Sequence, residues 1–147
     1  MNIYFAGAIR GGRNDAELYL AIIQFLGSYG TVLTEHVGNE TLLSQEQFLT
    51  EKAIFKRDMQ WLTETDVVIA EISTPSLGVG YELAAAEQMN IPCFCLFRKQ
   101  ENKRLSAMIG GNSFFQVVHY HDFPEAKEII SRLMQQFAMD RTENSKK

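Results

Sequence analysis

Five short apolar runs constrain this chain more than any other feature of its sequence. They cover residues 3–6, 31–33, 67–70, 93–97 and 115–118, and none of them alternates clearly between apolar and polar positions. A strand with one wet face alternates with a period of two. A run that is apolar throughout reads as a strand covered on both faces, as in a parallel sheet. Helical patterns fill the gaps. Residues 15–29 carry Leu18, Tyr19, Ile22, Ile23, Phe25 and Leu26 at helical spacing, with Gly30 as the stop. Residues 47–63 carry Phe48, Ile54, Phe55, Met59 and Leu62, and residues 79–89 are short and alanine-rich. Residues 124–139 open with proline in the first turn and carry Ile129, Ile130, Leu133, Met134 and Phe137. Residues 105–109 add a short helical turn. This alternation predicts an α/β fold: a doubly wound, five-stranded parallel sheet, flavodoxin-like or Rossmann-like, with helices on both faces.

The 147 residues suit one compact domain over residues 1–139, with residues 140–147 as a polar, disordered tail. Residues 35–44 are polar and aperiodic, and read as a loop that orders over a ligand. The net charge of −4 argues against a nucleic-acid polymer as partner, yet leaves room for one local anion site. The N-terminus lacks the basic start and apolar core of a signal peptide, and no apolar run approaches the ~20 residues of a membrane span. Cys93 and Cys95 share one side of a strand and read as buried, reduced thiols, which suits a cytoplasmic location, with the nucleus as the alternative in a eukaryote. Neither they nor His36, His119 and His121 have metal-ligand spacing, so no metal is expected.

In an open parallel sheet, ligands bind at the carboxyl ends of the strands. After the first strand comes Gly7-Ala8-Ile9-Arg10-Gly11-Gly12-Arg13, immediately before a helix. Glycines admit an anion to the backbone and arginine grips phosphate, so this segment reads either as an anion site or as a turn with solvated arginines. After the third strand, Ser76, Gly78 and Gly80 lead into a helix with Glu82 in or near its first turn. A carboxylate there is held ionised by the helix dipole, as a nucleophile requires, or is an ordinary N-terminal helix acid. Asp58 borders the apolar stripe of its helix. It is a proton donor with a raised pKa, or an acid paired to Arg57 or Lys56. Tyr4 either orients a carboxylate or fills the core.

Taken in order, Tyr4-Phe5-Ala6-Gly7-Ala8-Ile9-Arg10-Gly11-Gly12-Arg13, Leu33-Thr34-Glu35-His36-Val37, Asp58 with Trp61-Leu62, Pro75-Ser76-Leu77-Gly78-Val79-Gly80-Tyr81-Glu82-Leu83, Leu96-Phe97-Arg98 and Leu105-Ser106-Ala107-Met108-Ile109 resemble the 2'-deoxynucleoside 5'-phosphate N-hydrolases of the nucleoside 2-deoxyribosyltransferase superfamily. The resemblance spans residues 4 to about 120. It implies that Glu82 is the nucleophile, that Asp58 assists protonation of the leaving base and that Tyr4 positions Glu82. It further implies that Gly7, Ile9, Arg10, Ser76 and Gly78 hold the 5'-phosphate, and that Ser106 reaches the phosphate from the neighbouring subunit of a homodimer. The substrate so implied is a deoxynucleoside 5'-monophosphate, and no cofactor is required. Ala8 departs from the family's Gly-Ser-Ile-Arg pattern, so weakened or altered phosphate binding is expected.

Three alternatives share this scaffold. A nucleoside 2-deoxyribosyltransferase passes the sugar to a second base, which base exchange detects. A CMP-type ribonucleotide N-glycosidase prefers ribose. A non-catalytic nucleotide sensor releases no base.

Overall fold

The computed structural model describes residues 1–8, 15–34, 37, 49–101 and 103–144 of the chain. Five strands form one parallel sheet: β1 (Asn2–Ala6), β2 (Thr31–Val32), β3 (Val67–Glu71), β4 (Cys93–Arg98) and β5 (Gln116–Tyr120). Their order is β2-β1-β3-β4-β5, the flavodoxin-like one of the two arrangements that the strand–helix alternation left open. Among the described residues, five helices accompany them: α1 (Ala16–Leu26), α2 (Glu51–Thr63), α3 (Leu77–Gln88), the short α4 (Ala107–Gly110) and α5 (Phe123–Asn144).

Alternation along β1 divides the core in two. Ile3 and Phe5 pack with α1 and α5, whereas Tyr4 and Ala6 pack with Leu62 of α2 and Val79, Leu83 and Ala86 of α3. Cys93 and Cys95 both fall on the second side, as free and buried thiols whose pKa burial pushes up to about 12. Among the described residues, no helix is long and apolar enough to cross a membrane.

Several boundaries differ from the sequence expectation. Helix α1 stops at Leu26, with Gly27 as its C-cap, rather than running on to Tyr29. Gly30 serves instead where the chain enters β2, because a Cβ there would lie 2.3 Å from the carbonyl oxygen of Met1. Helix α2 begins at Glu51 because the Thr50 hydroxyl caps it, accepting from the N–H of Ala53. Helix α5 does not end at Met139 but continues to Asn144. Arg141 of this added turn pairs with Asp66 at 2.9 Å and lies over the Phe137 ring, so the added turn is tied to the domain through these contacts.

Strand β2 has two residues, and a side chain extends its ladder. The hydroxyl of buried Thr34 accepts from the N–H of Phe5 at 2.8 Å and donates to the carbonyl of Phe5 at 2.7 Å. One hydroxyl satisfies both backbone groups of β1 where the edge strand has ended. Thr34→Val keeps the shape and leaves both groups buried and unpaired. Urea denaturation should show a loss of about 2–4 kcal/mol, with an unchanged slope.

Candidate functional site

Strand order reverses at β1, whose neighbours are β2 on one side and β3 on the other. The carboxyl ends of β1 and β3 therefore flank the crevice in which open parallel sheets bind ligands. After β3 the chain turns through residues 72–76, and the Ser76 hydroxyl caps α3 by accepting from the N–H of Val79 at 3.4 Å. Because α3 starts at Leu77, two residues earlier than the sequence suggested, Glu82 lies in its second turn. The helix dipole is weaker there than at the first turn, so it does little to favour the ionised form of this carboxyl.

Its partner is Tyr4. The phenol of this buried β1 residue donates to Glu82 Oε1 at 2.6 Å across 78 positions of sequence. Burial and the adjacent carboxylate raise the Tyr4 pKa far above the ordinary tyrosine range, so Tyr4 stays a proton donor. Burial also raises the pKa of Glu82, to about 7; the Tyr4 hydrogen bond opposes this shift and the negative charge of Asp58 adds to it. Asp58, in the middle of α2, accepts from Arg57 Nε at 2.8 Å, and the Arg57 guanidinium lies 4.9 Å from the Trp61 ring centre. Of its two possible basic neighbours, Asp58 thus takes Arg57.

Asp58, Glu82 and Gly78 line one cavity of about 320 Å³ with Phe55, Met59, Leu62 and Tyr81. Among the described residues, a Cβ at Gly78 would meet only the Ser76 hydroxyl, at 3.7 Å. Ser76 and Ser106 share a second cavity, about 470 Å³, on the other side of the start of α3. The capping hydroxyl of Ser76 is used as an acceptor, and the cap does not use its proton. Gly7 has a packing role: a Cβ there would lie 3.0 Å from Cε2 of Tyr19. The Tyr19 hydroxyl in turn accepts from the N–H of Ala8 at 3.3 Å, and Ala8 is fully buried. Ile9, Arg10 and His36 lie outside the described residues, as does the 35–44 loop apart from Val37. His119 is exposed against the Phe97 ring, and His121 pairs with Glu125 on the surface. Among the described residues, no group of three or more His, Cys, Asp or Glu side chains is arranged to hold a metal ion.

Sequence reasoning missed a buried polar network behind the site. Glu71, wholly buried at the end of β3, accepts from the Ser73 hydroxyl and from Tyr120 Oη at 2.9 Å, and burial raises its pKa. The Ser73 hydroxyl accepts from the N–H of Arg98 at 2.6 Å. Arg98 reaches Asp15 at 2.6 Å, and Asp15 accepts from Thr74 at 3.3 Å. The loop between β3 and α3 is thereby tied to the ends of β4 and β5 and to the start of α1. The available signal was an acid closing an otherwise apolar strand.

The fold agrees with the comparisons. A family model described as nucleoside 2-deoxyribosyltransferase matches residues 3–139, and the chain belongs to that family. Among its relatives, the chain is 46% identical over 145 residues to the 5-hydroxymethyl-dUMP N-hydrolase of Danio rerio, covering 98% of this chain and 100% of that one. It is 43% identical over 149 positions to the Rattus norvegicus protein of the same name, covering 98% and 91%. A solved structure, the CMP N-glycosidase of Clostridium botulinum, matches with a TM-score of 0.65 at 19% identity, over 90% of this chain and 99% of that one, and shares the fold.

Glu82→Gln separates the cost of the buried charge from the fold. The amide keeps an acceptor for Tyr4 and cannot ionise. In the wild type, a carboxyl whose pKa rises from 4.5 to about 7 on folding favours the folded state only while it is protonated; that contribution is complete below pH 4.5 and is lost as the pH rises through about 7. Thermal unfolding should therefore find the variant more stable by about 1–2 kcal/mol at pH 8, with the gap closing toward pH 4.5.

Proposed function

We propose that this chain hydrolyses the N-glycosidic bond of 2'-deoxynucleoside 5'-monophosphates, releasing the free base and 2-deoxyribose 5-phosphate. The observation that carries the reading is the 2.6 Å hydrogen bond from Tyr4 to Glu82, facing a cavity that also contains Asp58. Family membership and the names of the relatives support it.

Cleavage of this bond develops oxocarbenium character at C1'. A Glu82 oxygen attacks C1' as the C1'–N bond breaks, and the bond's electrons leave with the base. Asp58 takes up a proton from solvent and passes it to the base, directly or through a water. Water then attacks C1' of the glycosyl–Glu82 ester, the ester bond breaks, and the water's second proton restores the acid. Tyr4 holds the carboxylate in one orientation throughout. The phosphate is held by the segment around Gly7, Ile9 and Arg10 together with Ser76 and Gly78, and its binding energy fixes C1' over the nucleophile. A sugar without a 2'-hydroxyl reaches the cationic state more readily, which favours deoxynucleotides.

Base release from deoxynucleotides, ribonucleotides and unphosphorylated nucleosides, followed by chromatography, tests the reading. Deoxynucleoside 5'-monophosphates should be the best substrates, and Glu82→Ala should lose at least about a thousandfold in kcat. Near-normal turnover by that variant overturns the assignment. Product carrying an added acceptor base identifies a transferase instead.

A homodimer with Ser106 contributed across the interface belongs to the same proposal. Leu77 is 96% exposed and Met108 81% exposed, beside Ser76 and Ser106 respectively, an apolar surface of the kind that subunits cover. Light scattering should find a dimer for the wild type and a monomer for Leu77→Asp combined with Met108→Asp. The paired substitution should also raise KM for phosphorylated substrates. A monomeric wild type rejects this part. The buried free thiols support a cytoplasmic location.

A further inference from the structure

Two large aromatic side chains stand at the candidate site without serving either core. Phe55 of α2 is 51% exposed and Tyr81 of α3 is 57% exposed. Their rings meet edge to face at 6.0 Å, and neither belongs to the packed clusters on the two faces of the sheet. Leaving two such rings in water forgoes the burial that normally rewards aromatic residues. Both line the 320 Å³ cavity that contains Asp58 and Glu82. On α2, Phe55, Asp58, Met59 and Leu62 follow the spacing of a single helical face, so the Phe55 ring stands one turn before the carboxylate. Tyr81 immediately precedes Glu82. Among the described residues of this lining, the polar side-chain groups are the Tyr81 hydroxyl and the two carboxylates.

We propose that Phe55 and Tyr81 are the base-recognition pair, and that the nucleotide's base lies against their rings while C1' faces Glu82. This rests on the N-glycosidase reading, because the bond to be cut joins C1' to the base. A base whose sugar reaches Glu82 and whose leaving nitrogen reaches Asp58 must occupy the space between α2 and α3 that these rings wall. Contact with a ring face or edge suits every base, so the pair contributes affinity to purine and pyrimidine nucleotides alike.

The test compares wild type, Phe55→Ala and Phe55→Tyr in steady-state base release from dGMP and dCMP, with 2-deoxyribose 5-phosphate as a competitive inhibitor that lacks a base. Phe55→Ala should raise KM for both nucleotides about tenfold and leave kcat in place. Phe55→Tyr should restore the wild-type KM. The inhibition constant of 2-deoxyribose 5-phosphate should be the same in all three proteins. An unchanged KM in Phe55→Ala overturns the inference. So does an equal weakening of the inhibitor, which means general damage to the site, and so does a change of oligomeric state, which makes Phe55 a subunit contact. If the wild type releases no base from any nucleotide, the N-glycosidase reading itself falls.

Discussion

The hydrogen bond from Tyr4 to Glu82 joins two elements that only the sheet topology brings together. Tyr4 is the third residue of β1, and Glu82 follows β3 by a loop and more than one turn of helix. They meet because β3 pairs directly with β1, Tyr4 opposite Val68, and because α3 folds back over the face on which Tyr4 projects. Side chains alternate along a strand, so a slip of one residue in β1 would turn Tyr4 into the opposite core, among α1 and α5, and present Phe5 to the carboxylate instead. The same register places Val68, Ala70, Cys93 and Cys95 on the Tyr4 side, where α2 and α3 cover them. The position of α3, the orientation of Glu82 and the placing of Asp58 across the cavity all depend on that pairing.

The sheet was legible in the sequence because strands covered on both faces cannot be mistaken for wet ones. The runs through Ile69 and Leu96 have no polar position to offer solvent, and that alone selects a parallel, doubly covered arrangement. Helix starts were harder to read. Gly78 and Gly80 are poor helix formers, so the pattern pointed to a start at Val79, yet the Ser76 cap outweighs local propensity and begins the helix at Leu77. That shift moved Glu82 into the second turn and removed the dipole argument for its ionisation. The candidate constellation itself was not legible from spacing: Tyr4, Asp58 and Glu82 each had a plainer explanation alone, and only the resemblance linked them before the fold did. The Glu71 network was invisible for a different reason. A buried acid is unusual, and nothing local announces that a serine two positions on and a tyrosine on β5 will satisfy it.

Glu82 embodies the conflict between stability and chemistry. Water stabilises a carboxylate, and burial removes that water, so the fold prefers the carboxyl protonated up to about pH 7. The nucleophile of the proposed reaction must be ionised. Tyr4 resolves part of the conflict by donating to the charged form, while Asp58 works against it. On the proposed reading, the carboxylate that results is held in one orientation and lightly solvated, so little solvent must be stripped from it as it approaches a carbon that is becoming positive. On the proposed reading, the anchored phosphate brings that carbon to the carboxylate, and the aromatic pair opposite holds the departing base. The binding energy then comes from the two ends of the substrate, and the centre of the site is left free for a group that the fold alone would keep neutral.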